Sequence, residues 1–141
     1  MTTLDMIIDD RKTYSYTKTI TAADVEMFAK ASGDDQALHL DEAVAGKSRF
    51  KHRIAHGILT AGLISAALGT KVAPGQVVIY MSQTLRFIAP VYLGDTLTAQ
   101  LKVTGMNVPR RQVTFSARVI NQNKVEVLQG ETQAMIEPYA E

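Results

Sequence analysis

The chain has 141 residues, 46% hydrophobic and 21% charged, with 15 basic and 14 acidic side chains and a formal net charge of +1. These proportions suit one globular domain, residues 1–141, with a single substantial core; the even spread of charge argues against a nucleic-acid footprint or a polybasic membrane patch. No cysteine is present, which excludes disulfides, thiolate metal sites and a cysteine nucleophile and makes a reducing compartment comfortable.

The first ten residues are acidic and lack the basic start and apolar stretch of a secretory signal, so a cytoplasmic location is expected. Thr13 to Thr19, with Tyr14, Tyr16 and Thr17, favours a short strand. A helix follows. Thr21 is placed to cap it, Asp24 completes a capping box, Val25, Phe28, Ala29 and Ser32 form an inward stripe, and Gly33 ends it. Asp34 to Leu40 then reads as loop, and Asp41 as the cap of a brief helix through Ala45.

From Ala55 to Thr70 the pattern is helical and apolar nearly all round, so this helix has to be enclosed by protein. It contains no Asp, Glu, Lys or Arg, yet His56, Ser65 and its glycines fit a buried core helix better than a membrane span. The enclosure comes from the second half. Odd positions are apolar in Val77 to Phe87 apart from Gln83, and throughout Leu97 to Val103 and Val113 to Val119, the period of half-buried antiparallel strands. Asn107 to Arg110 and Asn121 to Lys124 read as turns. In the last strand the apolar register moves from Val125 and Val127 to Leu128, Ala134 and Ile136, which predicts a bulge near Val127. The expected architecture is α+β, a curved antiparallel sheet wrapped around one long helix. An edge strand left open in such a layer makes a homodimer, or a dimer of dimers, the expected assembly.

Asp34, His39 and the His56-Gly57 pair are polar features where an apolar core would not want them. Asp34 and His39 lie five residues apart on one connection, close enough to share a pocket, and together offer a proton acceptor and a positioning group. Gly57 falls in the first helical turn, where backbone N–H groups have no intrahelical partner and negative charge is favoured; it is a candidate oxyanion donor. Each residue also has a plainer reading. Asp34 suits a turn after a C-capping glycine, His39 a structural histidine, and His56 a residue that fixes the helix entry. Ser65 could bond back to a carbonyl one turn earlier. Arg49, Lys51, His52 and Arg53 suit a solvated loop, or a contact for coenzyme A phosphates or an acidic carrier protein. Arg86 reads as a surface or interface charge. Three scattered histidines do not have the spacing of a metal site, and no glycine-rich phosphate loop appears, so neither metal nor cofactor is expected.

The run Ser32-Gly33-Asp34 through His39 to Asp41 resembles the S-G-D-x-N-P-[IL]-H-x-D signature of MaoC-like (R)-specific enoyl-CoA hydratases, and Ile54-Ala55-His56-Gly57 resembles its second part, I-x-H-G. Leu85 to Leu97, containing Arg86-Phe87, Pro90-Val91 and Gly94-Asp95, is similar to the family's R-F-x-x-P-V-x-x-G-D-x-L segment. The resemblance implies a hot-dog fold and reversible (R)-specific hydration of trans-2-enoyl thioesters, carried by coenzyme A or acyl carrier protein. It implies Asp34 as the base acting on water, His39 as the group holding that water, the Gly57 amide as the oxyanion donor, and Ser65 and His56 as substrate-binding residues. The signature's Asn-Pro is Gln36-Ala37 here, which removes a restraint on φ and bears on loop geometry, rate and acyl preference.

Two other functions compete. A hot-dog acyl-thioesterase would place an Asp or Glu on the central helix, and Ala55 to Thr70 has none. A non-catalytic acyl-binding subunit of a dehydratase pair would not need both Asp34 and His39.

Overall fold

The structure, a computed structural model, describes residues 2–140. After a short helix α1 (Leu4–Ile7), strand β1 (Thr13–Thr19) has the expected bounds. Helix α2 (Ala22–Ser32) starts on a complete capping box: Thr21 Oγ1 accepts from the Asp24 amide and the Asp24 carboxylate accepts from the Thr21 amide. Gly33 ends it at φ +84°, a conformation open to glycine without the penalty a Cβ would incur. Val25 and Ala29 are buried, whereas Ser32 is exposed, so the inward stripe is shorter than expected. The Ser32 hydroxyl turns back to the Phe28 carbonyl at 2.7 Å, which satisfies it on the surface.

Residues 34–40 are not all loop: α3 (Ala37–Leu40) forms one turn, and α4 (Glu42–Ala45) follows on the Asp41 cap, whose carboxylate accepts from the Ala43 and Val44 amides. The central helix α5 (Gly57–Ala67) begins two residues later than expected and runs on as a wider π-helical segment, Leu68–Val72, with Leu68 and Val72 buried. It lies against β1, β3 and β4. One stripe of it, Ile58, Gly62, Ser65 and Gly69, remains exposed. Among the described residues no helix is long and apolar enough to cross a membrane.

Strands β2 (Val77–Phe87), β3 (Thr96–Asn107), β4 (Gln112–Ile120) and β5 (Glu126–Glu137) join β1 in one antiparallel sheet of order β1-β3-β4-β5-β2. This is the hot-dog arrangement. Leu97, Ala99 and Leu101 of β3 and Val113, Phe115, Ala117 and Val119 of β4 are buried, as their alternation requires. A bulge at Val127 lets both Val127 and Leu128 turn inward, because Val119 faces Leu128 while Ile120 faces Glu126.

Strand β2 departs from the expected phase. In its first half the even residues Val78 and Tyr80 pack on the core, while Ile79 and Met81 are 41% and 43% exposed. The pairing skips Met81, Tyr80 facing Ala134 and Ser82 facing Gln133, and this extra residue returns the inward role to odd Leu85. At its other edge β2 has no partner strand among the described residues.

Candidate active site

The connection from α2 to α5 brings three polar side chains together. Potential ligand atoms of Asp34, His39 and His56 all lie within 4.8 Å of one another. Asp34 is exposed, just beyond Gly33; its amide donates to Ser32 Oγ at 3.1 Å, and its Oδ1 accepts from the Gln36 amide at 3.4 Å. His39, on α3, is 7% exposed, and His56, the residue before α5, is 2% exposed. Their rings stack at 3.9 Å and 30°, with Phe28 of α2 against His56 at 4.7 Å.

Hydrogen bonds determine what each imidazole can offer. His39 Nδ1 lies 2.7 Å from the Ile54 carbonyl oxygen, which only accepts, so Nδ1 carries hydrogen and the neutral ring has its lone pair on Nε2. His56 Nε2 donates in the same way to the main-chain carbonyl of Asp34 at 2.9 Å. Arg53 Nε donates to the His39 carbonyl at 2.7 Å, so this arginine braces the site instead of belonging to a solvated loop. His52 does remain on the surface, paired with Glu42 at 2.8 Å; that bond comes first among the causes holding the Glu42 carboxyl below its ordinary value.

The three side chains do not form a ready cation cage. Tetrahedral coordination with bonds near 2.0–2.1 Å would hold two imidazole centroids roughly 5 Å apart, so the stacked pair would have to splay to share an ion.

A cavity of about 450 Å³ opens on the other side of the α5 N-terminus. Its walls include Phe50, Ile54, Gly57, Thr60, Phe87 and Val91, with Arg49 contributing a cation. Asp34, His39 and His56 are not among its lining residues, so the single chain does not enclose these side chains and the cavity in one pocket. Gly57 and the Ile54-Ala55 segment stand at the junction. The side chain of His56 makes no capping bond to α5, which leaves the first-turn amides available to a ligand. Phe87 packs so closely on Gly57 that an added Cβ would lie 2.8 Å from Cδ1 and Cε1 of the ring. Ser65 is exposed on the outer stripe of α5 and is not among the residues that line the cavity. Arg86 is exposed on β2.

The spacing of Asp34 and His39, the helix-start position of Gly57 and the resemblance to the family signature together point to these three residues. They give no sign of the Phe87 approach, the Arg53 brace or the His39–His56 stack, since each depends on elements that meet only in three dimensions.

Comparison with known proteins adds a consistent pattern. A family profile described as "MaoC like domain" matches residues 5–125. An (R)-specific enoyl-CoA hydratase of Rhodospirillum rubrum is 43% identical over 129 residues, covering 92% of this chain and 88% of that protein. A 3-hydroxybutyryl-CoA dehydratase of Methylorubrum extorquens is also 43% identical, over 81% of this chain and 71% of its own length. Among solved structures, the unliganded R-hydratase PhaJ1 of Pseudomonas aeruginosa superposes with a TM-score of 0.82 at 43% identity, covering 91% of this chain and 81% of that one.

Proposed function

The chain belongs to the MaoC-like domain family, and from that premise we propose that it hydrates trans-2-enoyl thioesters to (R)-3-hydroxyacyl thioesters and catalyses the reverse dehydration. The observation that carries this reading is the convergence of a carboxylate and an imidazole with an available Nε2 lone pair beside the N-terminus of α5.

A water between these groups can donate one hydrogen to Asp34 and the other to His39 Nε2, which leaves an oxygen lone pair for the β-carbon of the enoyl group. Asp34 takes the proton as the C–O bond forms. The electrons of the double bond move onto the thioester oxygen, where the Gly57 amide and the positive end of α5 stabilise the enolate; one such donor is worth about 3–4 kcal/mol. Return of the proton to the α-carbon completes the addition, and reversal of these steps expels water. The acyl chain extends into the apolar cavity beyond Gly57, with Arg49 at its wall suited to an anionic carrier, coenzyme A or acyl carrier protein. Ser65 and His56 are not placed against substrate by this arrangement.

A second copy of the chain completes the molecule. Support comes from the free edge of β2 and from exposed Ile58, Ile79, Met81, Phe87 and Ile88, an apolar surface that a partner would cover. The expected state in solution is a homodimer, with a dimer of dimers as the further possibility, and light scattering distinguishes them.

The activity is tested with crotonyl-CoA, following loss of enoyl absorbance, release of free thiol and the chirality of the product. Hydration to the (R)-alcohol is expected, and thiol release without hydration would identify a thioesterase instead. Asp34→Asn removes the negative charge at nearly constant shape; it should lower kcat at least about a hundredfold with the melting temperature preserved. Full activity in that variant would move the base elsewhere.

A further inference from the structure

The catalytic pair is held by unequal means. His39 is anchored through Nδ1 to Ile54 and through its carbonyl to Arg53. Asp34 follows Gly33 on an exposed connection, where its own links are to Ser32 and Gln36, only two residues away on either side. The Gln36-Ala37 dipeptide adds no proline to stiffen that connection. Its long-range restraint is the bond from His56 Nε2 to the Asp34 carbonyl, across 22 residues of sequence.

The surroundings of His56 fit that task better than a packing role. The ring is 2% exposed, yet Nδ1 is buried and has no hydrogen-bond partner among the described residues. An unpaired buried polar atom costs stability, and phenylalanine would fill the same space between Phe28 and His39 without it. What an imidazole supplies here and phenylalanine does not is the Nε2–H donor aimed at Asp34.

We infer that His56 is the positioning residue of the catalytic pair: its Nε2–H fixes the main chain of Asp34 while its ring face sets the plane of His39. Because His56 immediately precedes Gly57, one side chain places carboxylate, imidazole and amide donor in a common frame. This assignment rests on the hydratase reading and gives His56 no contact with substrate.

The test compares wild type, His56→Phe and His56→Gln in crotonyl-CoA hydration across pH, with melting temperatures recorded for each. His56→Phe keeps an aromatic ring and loses the donor; kcat should fall about tenfold to a hundredfold with KM nearly unchanged and the pH profile displaced. His56→Gln keeps an N–H of similar reach and should recover to within about threefold of wild type. Wild-type kcat in His56→Phe, a loss confined to KM, or an equal loss in His56→Gln would overturn the assignment.

Imidazole nitrogen-15 spectra of the wild-type protein provide a readout independent of turnover and of how the variants fold. The Nε2–H tautomer is expected for His56, and hydrogen on Nδ1 instead would refute the bond to Asp34. A wild type inert towards crotonyl-CoA would defeat the hydratase reading separately, with the spectrum still deciding the clamp.

Discussion

Replacing Gly57 with alanine should separate stability from activity. The new Cβ would lie 2.8 Å from two atoms of the Phe87 ring and 3.4 Å from a third, where relaxed carbon contacts need about 3.5–4.0 Å, so the ring must retreat by about 1 Å. Overpacking costs about 1–3 kcal/mol when the neighbours are rigid. Phe87 is 49% exposed at the end of β2 in the single chain, but a partner covering it would limit its outward swing, which puts the cost near the middle of that range, about 2 kcal/mol. Alanine recovers up to about 1 kcal/mol through its helix preference over glycine. The net loss should therefore be about 1 kcal/mol, a melting shift of about 4 °C. Function should suffer far more, because the displaced ring lines the cavity against Gly57, the proposed oxyanion donor, and a misplacement of about 1 Å can cost on the order of a hundredfold in rate. The assay is thermal unfolding beside kcat/KM for crotonyl-CoA, in Gly57→Ala, Phe87→Ala and the double variant. The double variant should be more active than the product of the single effects, since removing the ring removes the clash. Additive losses, or wild-type kcat/KM in Gly57→Ala, would refute the steric argument.

Other parts of the fold yield sharper stability tests. A Cβ at Gly130 would overlap the Thr84 carbonyl oxygen, main chain that cannot step aside, so Gly130→Ala should cost at least about 3 kcal/mol by denaturant titration and loosen β2 from β5. Thr21→Ala removes the capping acceptor of α2 and should cost about 1 kcal/mol in the same measurement. The Asp24 carboxyl is held below its ordinary value of 3.8, first by the Thr21 amide and also by Lys18 at 3.2 Å. A lowered carboxyl pKa stabilises the fold above the ordinary value and loses that contribution as pH falls through the folded one; Asp24→Asn should flatten this acid limb in melts below about pH 5. Burial raises the Tyr80 hydroxyl to about 12, so Tyr80 should ionise well above pH 10 in an ultraviolet titration. A raised tyrosine value stabilises the fold below pH 10 and loses that contribution between there and about 12, and Tyr80→Phe should remove this dependence.

Local chemistry was the readable part of the sequence. The β1 bounds, the Thr21–Asp24 box and the left-handed Gly33 follow from neighbouring residues, and so does the bulge at Val127, because two adjacent apolar residues break a strict alternation. The phase of β2 departs from its pattern for the complementary reason. Apolar residues on both sides of Val77 to Met81 make either face a plausible interior, and the extra residue at Met81 emerges only from the pairing with β5. A third bulge, at Thr104, interrupts β3, which runs beyond Val103 to Asn107. Helical period points Ser32 inward, whereas its hydroxyl donates to a carbonyl of its own helix on the surface. At the site, five-residue spacing brought out Asp34 and His39. The role of His56 depends on a bond to main chain, which carries no side-chain signal at position 34.

The strand order also constrains synthesis on the ribosome. Thr13 pairs with Lys102 and Val77 with Glu137, so the earlier strand of each pair is made long before its complement. Until residues 96–107 emerge, β1 has no neighbour in the sheet, and β2 waits for 126–137. The greasy α5 is translated ahead of β3 and β4, the strands that will shelter it. Nascent chains stalled before about residue 100 should consequently bind holdase chaperones and resist compaction, with protease protection arriving abruptly as β5 clears the exit tunnel.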